Sequence, residues 1–124
     1  MAGWSEDELA AVGDADELVI SARRANGELR EGVPIWVVRV GDDIYVRSYK
    51  GRGSGWFRHA VETHTGHIGA GGVERDVAFE EAPDAPAAEI DDAYRTKYAR
   101  YGDSYTLPMV TPDARDATLR ITGP

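Results

Sequence analysis

The chain has no cysteine, which excludes a disulfide framework, a thiolate nucleophile and a thiolate metal site. It also lacks a long apolar run. The longest, Val33 to Val38, is interrupted by Pro34 and is far too short to span a bilayer, so no membrane partner is expected. The opening stretch, MAGWSEDELAAVGDADEL, is acidic and has no basic segment leading into an apolar one. A secretory leader is therefore not expected, and a cytoplasmic protein is. Positive charge is scarce: 14 Lys and Arg face 22 Asp and Glu, for a formal net charge of −8. Phosphate backbones select broadly basic faces, so this balance argues against a nucleic-acid binder. No Ser-His-Asp arrangement, catalytic carboxylate pair, internal repeat or linker is present. What remains is an ordinary globular composition, 42% hydrophobic and 29% charged over 124 residues, which reads as a single domain over 1–124.

Local signals order the elements. Ser5 and Glu8 have capping-box spacing and Trp4 and Leu9 staple spacing, so a helix is expected to about Val12 with Gly13 as its stop. ELVISARR (Glu17–Arg24) reads as a strand, and Asn26-Gly27 as a turn. Val33–Val40 and Ile44–Tyr49 read as two further strands about Gly41-Asp42-Asp43. WFRHAVET sets Trp56, Phe57, Ala60 and Val61 on one helical stripe. Two strands about Gly71-Gly72 follow, then a longer helix with Ile90, Ala93, Tyr94, Lys97, Tyr98 and Tyr101 at helical spacing and Gly102 as its cap. A last strand covers Ala117–Thr122. This order predicts a mainly β fold with α elements, a barrel carrying helices outside it.

One stretch stands apart. YVRSYKGRGSGWFRHA (Tyr45–Ala60) holds Arg47, Lys50, Arg52 and Arg58 and no acid. Its glycines match neither a P-loop, a Rossmann turn nor a nucleophile elbow. They do allow close backbone approach to an anion, Ser54 offers a hydroxyl, and the following helix offers free N–H groups. The plain alternative is a solvated basic loop. In the preceding hairpin, a three-residue loop at Gly41-Asp42-Asp43 would pair Val40 with Ile44 and Val38 with Val46. It would also make Arg39 and Arg47 diagonal neighbours on the opposite face, their repulsion relieved by an anion between them. His59, His64 and His67 lack ligand spacing, so no metal site is expected. Tyr94, Tyr98 and Tyr101 form a stripe read as core or dimer contact, and Glu17, Asp76, Asp91 and Asp92 as solvated or capping charges.

The run IWVVRVGDDIYVRSYKGRGSGWFRHA…GHIGAGGVERDVAF resembles the bacterial domain-of-unknown-function family 2255 over most of the chain. More distantly, its strand, basic loop and aromatic-led helix are similar to deazaflavin-dependent nitroreductases and pyridoxine-phosphate-oxidase-like flavin proteins. The resemblance implies a split β-barrel (the FMN-binding split-barrel type) with flanking helices, a homodimer, and a phosphorylated cofactor, FMN or a deazaflavin of the F-420 type. It puts Arg47 and Ser48 at the strand end, Lys50, Arg52 and Ser54 on the loop, and Trp56 and Arg58 at the helix start as cofactor contacts. Tyr49, Trp56 and His59 are the expected ring-side residues. The implied activity is that of an oxidoreductase; the alternative is a cofactor-free module using the same loop for an anionic ligand or a protein.

Overall fold

The computed structural model describes residues 3–123. Ser5 caps α1 (Glu6–Asp14) reciprocally: its hydroxyl accepts from the Glu8 amide at 3.1 Å, and Glu8 Oε1 accepts from the Ser5 amide at 3.0 Å. Trp4 and Leu9 are both buried, and the Trp4 indole donates to the Ile121 carbonyl at 2.9 Å, fixing the helix against the sheet.

The strands are β1 (Leu18–Ala22), β2 (Val33–Ile35), β3 (Val38–Val40), β4 (Asp43–Arg47), β5 (Thr65–Ala70), β6 (Val73–Glu81) and β7 (Thr118–Thr122). They form one antiparallel sheet in the order β2-β1-β5-β6-β7-β4-β3. The stretch read as one strand over Val33–Val40 is thus two, broken at Trp36-Val37, and the pieces lie at opposite edges. The sheet curls until its edges face each other, a split barrel flanked by helices, as expected. β5 and β6 join at Gly71-Gly72, as the sequence indicates. A side chain at Gly71 would meet the Ala11 carbonyl oxygen at 2.3 Å, because α1 packs directly on this turn.

The core has two layers. Ile44, Val46, Leu119 and Ile121 face the barrel interior with residues of α1 and of α2 (Gly55–Thr63). Val38 and Tyr45 face outward and are covered by Ile90, Tyr94 and Tyr98 of α3 (Ala87–Lys97) and its C-cap, with Met109 and Val110. Tyr94 and Tyr98 are therefore core residues.

The β3–β4 hairpin departs from expectation. Val40 pairs with Asp43, Arg39 with Ile44 and Val38 with Tyr45, so the loop has two residues, Gly41 and Asp42. A one-residue slip exchanges faces. Arg39 and Arg47 consequently lie on opposite sides of the sheet, and Arg39 binds Glu6 at 3.1 Å. The physical reason is that β4 is covered on both faces, with Ile44, Tyr45, Val46 and Arg47 all buried, so no polar face existed to set the register. Between α3 and β7 come 3-10 turns at Ala99–Tyr101 and Leu107–Val110 and two short helices, α4 (Asp103–Thr106) and α5 (Pro112–Asp116). Ala99–Tyr101 was expected as the end of one helix running to Gly102, but α3 stops at Lys97. The other three were not anticipated, although Thr111-Pro112 is a helix-start signal, and the Thr111 hydroxyl accepts from the Ala114 amide at 3.1 Å. Among the described residues no helix is long and apolar enough to cross a membrane.

Candidate functional site

The four cations of the acid-free stretch go to different environments. Arg47 is 2% exposed and its donors are spent within the protein. Nη1 binds Asp91 Oδ1 at 2.5 Å and the Met109 carbonyl at 2.9 Å, Nε binds the Thr118 hydroxyl at 3.0 Å, and Nη2 reaches the Ala87 carbonyl at 3.4 Å. Asp91 also accepts from Arg115, at 3.0 Å from Nε and 2.5 Å from Nη2. Asp91 is therefore a buried counter-ion and not a solvated charge. Burial pushes its carboxyl up, but the hydrogen bonds from Arg115 and Arg47 outweigh that and hold it below its ordinary value. Its position was readable: Asp91, Tyr94 and Tyr98 share one helical stripe, and an acid on a buried stripe calls for a cation.

Arg52 is also paired, with Glu81 at 2.7 Å, and donates to the Asp116 carbonyl at 3.0 Å. Lys50 is exposed, has no carboxylate partner among the described residues, and lies 5.8 Å from the Tyr49 ring centroid. Arg58 is exposed and likewise unpaired among the described residues. The Ser48 hydroxyl is buried without a partner. Ser54 precedes α2 as its N-cap, yet its hydroxyl does not bond the helix, so it remains available to an external acceptor, unlike the enclosed Ser48 hydroxyl.

Beside this loop lies a mostly apolar cavity of about 450 Å³. Pro34, Ile35, Trp36, Tyr49, Trp56 and Tyr105 are among its walls, and Arg47 borders it with its donors turned into the protein. Trp36 is a rigid wall, stacked on Tyr98 at 3.8 Å with 2° between the planes. Tyr98 is itself held, its hydroxyl accepting from the Val37 amide at 3.0 Å and donating to the Asp16 carbonyl at 2.9 Å. Trp56 meets Phe57 edge-on at 5.9 Å. Tyr49 and Tyr105, 58% and 63% exposed, form a rim that can move. The structure thus brings Tyr49 and Trp56 to one cavity, while Lys50 and Ser54 adjoin it only as chain neighbours, on the segment that links these two walls. Arg39 is remote from them, and Arg47 and Arg52 are engaged elsewhere. Sequence reasoning missed Trp36 and Tyr105, because the first depends on the strand break and the second on the unanticipated short helices.

The histidines do not converge. His64 ends α2 in a left-handed conformation with φ of 62°, and His67 sits between Glu74 and Asp76, 3.2 Å from each. His59 is half-buried on α2, with its Nδ1 buried and unpartnered. Among the described residues no cluster of His, Asp and Glu is arranged to hold a metal.

Comparison with known proteins places this geometry. The structure of the FAD and heme binding protein from Mycobacterium smegmatis superposes with a TM-score of 0.55 over 94% of this chain, at 21% identity. The present chain spans 64% of that protein's length, and the likeness is one of fold. Among curated proteins none matches. Residues 8–121 match the model of a family described as "Uncharacterized protein conserved in bacteria (DUF2255)", and the chain belongs to that family.

Proposed function

We propose that the protein binds a phosphorylated flavin or deazaflavin, with the ring system in the Trp36–Trp56 cavity and a phosphate beside Lys50, Ser54 and the start of α2. The observation that carries this reading is the adjacency of an aromatic-walled cavity to a helix start with no side-chain cap. Free helical N–H groups and the macrodipole favour an anion there, and Lys50 adds a charge that is not already neutralised. The volume of about 450 Å³ falls within the roughly 300–1,000 Å³ usual for small-ligand sites, whose walls are mainly apolar. The fit can be judged from the protein's own groups: the Ser54 hydroxyl is unspent, and Trp36 is held parallel to Tyr98, ready to face a flat ring. The relative of similar fold is a FAD and heme binding protein, which supports the flavin class.

When bound, such a cofactor supplies hydride chemistry, and the protein acts as an oxidoreductase. The chain's own residues then bind and orient: Trp36 and Trp56 fix the plane of the ring, and Tyr49 and Tyr105 exclude water at the rim. The protein is a homodimer in this reading, with its exposed rim near the partner chain.

The test is titration of the purified protein with FMN, riboflavin and a deazaflavin, followed by cofactor fluorescence. Lys50→Ala combined with Ser54→Ala should weaken FMN binding about tenfold, or about 1.4 kcal/mol, and riboflavin binding much less. Binding of FMN should also weaken with added salt. Failure of the parent protein to bind any of the three would overturn the proposal.

A further inference from the structure

Three arginines have no carboxylate within ion-pair distance among the described residues: Arg24, Arg30 and Arg58. Every other arginine has one. In a chain of net charge −8, with Glu28, Glu31 and Glu62 close in sequence, that is not a shortage of acids.

Arg24 and Arg30 belong to one end of β1, and Arg58 to α2, the helix packed beside that strand. Ala22, the last residue of β1, pairs with Gly66 of β5, and the Arg23 amide donates to the Thr65 carbonyl at 3.0 Å. Thr65 follows the end of α2 at Thr63 by two residues, so the second half of α2 adjoins this end of the strand. The excursion leading to β2 returns to the same point, where the Arg30 amide donates to the Ala22 carbonyl at 2.9 Å. Two side-chain nitrogens there, Arg30 Nε and His59 Nδ1, are buried and have no partner. Buried polar nitrogens are nearly always satisfied, and an unsatisfied guanidinium Nε and imidazole nitrogen beside unneutralised arginines favour an incoming anion, to which a protonated imidazole would donate. His59 lies three residues beyond Trp56 on α2, so the cluster continues from the aromatic cavity along one helix.

We propose that Arg24, Arg30, Arg58 and His59 form a second anion site, one that takes a phosphate monoester. The chemistry favours this group over a carboxylate. A phosphate monoester carries close to two charges at neutral pH and three peripheral oxygens, enough to meet several guanidinium forks and an imidazole N–H together. The charges around His59 agree with a site that favours an anion. Burial lowers its pKa first, Arg30 and Arg58 lower it further, Glu62 opposes them and Arg24 adds to the depression. A bound dianion reverses the balance. Arg58 stands one helical turn beyond Ser54, whose carbonyl accepts from the Arg58 amide at 3.0 Å, and the test with inorganic phosphate does not depend on flavin binding.

The experiment follows the His59 imidazole by NMR in the full chain during titration with inorganic phosphate, with chloride at matched ionic strength as control. Phosphate should give a saturable shift and raise the His59 midpoint by about half a pH unit or more. Arg24→Gln with Arg30→Gln should weaken the response about tenfold or more, and should raise the midpoint in phosphate-free buffer. Arg58→Gln, exposed on its helix, gives a second reading should the double variant lose its fold. Comparing FMN with riboflavin identifies the source of the phosphate. Loss of FMN preference in the double variant assigns the site to the cavity's own ligand. Retained preference with loss of the inorganic phosphate response assigns it to a separate phosphorylated ligand. A response equal to that of chloride, or one unchanged in both variants, overturns the proposal.

Discussion

Removing Asp91 should be among the most damaging single changes in this protein. The Arg47 and Asp91 side chains are 1% and 5% exposed and meet at 2.5 Å, so solvent screens the pair little. Truncating one partner of a buried pair leaves the other charged and uncompensated, which costs about 3–5 kcal/mol against a total stability of roughly 5–15 kcal/mol. Asp91→Ala should therefore lower the thermal midpoint by about 10 °C or more. Arg47→Met should be milder, about 1–2 kcal/mol, because Asp91 keeps its two hydrogen bonds from Arg115. Arg47→Met with Asp91→Leu should recover part of the loss, since apolar replacement of an entire buried pair is often neutral. Arg115, 45% exposed on its side chain, can then return to water. The pH dependence has a definite sign. The Asp91 carboxyl is held below its ordinary value, so its contribution is present above about pH 4 and lost as pH falls through the lowered value. Urea and thermal denaturation followed by tryptophan fluorescence together measure all of these. An Asp91→Ala protein within about 0.5 kcal/mol of the parent, or a double variant destabilised by the full sum of the singles, would refute the reasoning.

Burial lowers the Lys97 pKa to about 8, while its ammonium donates to the Val37 carbonyl at 2.7 Å. The unfolded chain holds this proton more tightly, so stability should rise with pH above about 8, and Lys97→Met should flatten that limb when denaturation is measured between about pH 8 and 9.5. The Val37 carbonyl then has only the Tyr98 hydroxyl at 3.1 Å, whose one proton it shares with the Asp16 carbonyl, so the variant should lose about 1 kcal/mol at most at neutral pH. For assembly, Tyr49 and Tyr105 at the cavity and Leu107, two residues beyond Tyr105, are each more than half exposed. Sedimentation should show a dimer at micromolar concentration, converted to monomer by Tyr105→Glu with Leu107→Glu; a monomeric parent rules the dimer out.

What the sequence disclosed follows the range of the interactions involved. The capping box at Ser5 and the Gly71-Gly72 hairpin depend on residues within a few positions, and both were legible. The β3–β4 register was not, because the coverage of β4 by α3 comes from residues more than 40 positions away. The basic stretch announced its charge correctly but not its destinations. Arg47 and Arg52 find their acids at Asp91 and Glu81, far along the chain. Arg24 and Arg30 show the converse: Glu28 and Glu31 stand nearby in sequence, and local reasoning would have paired them. Only the folded chain shows that it does not.

The break at Trp36-Val37 has a geometric consequence for the cavity. Residues Ile35 and Val38 end strands on opposite edges of the sheet, yet three peptide units join them, a reach of at most about 11 Å. Hydrogen-bonded strands lie about 4.8 Å apart, so the two edges can part by little more than two strand spacings. Chain length at this point acts as a caliper on the girth of the barrel. Pro34, Ile35 and Trp36 are also cavity walls, so the same caliper sets the width of the opening. Within the family, inserting or deleting one residue beside Val37, which is not a cavity wall, would resize the opening while leaving Pro34, Ile35 and Trp36 in place in the sequence.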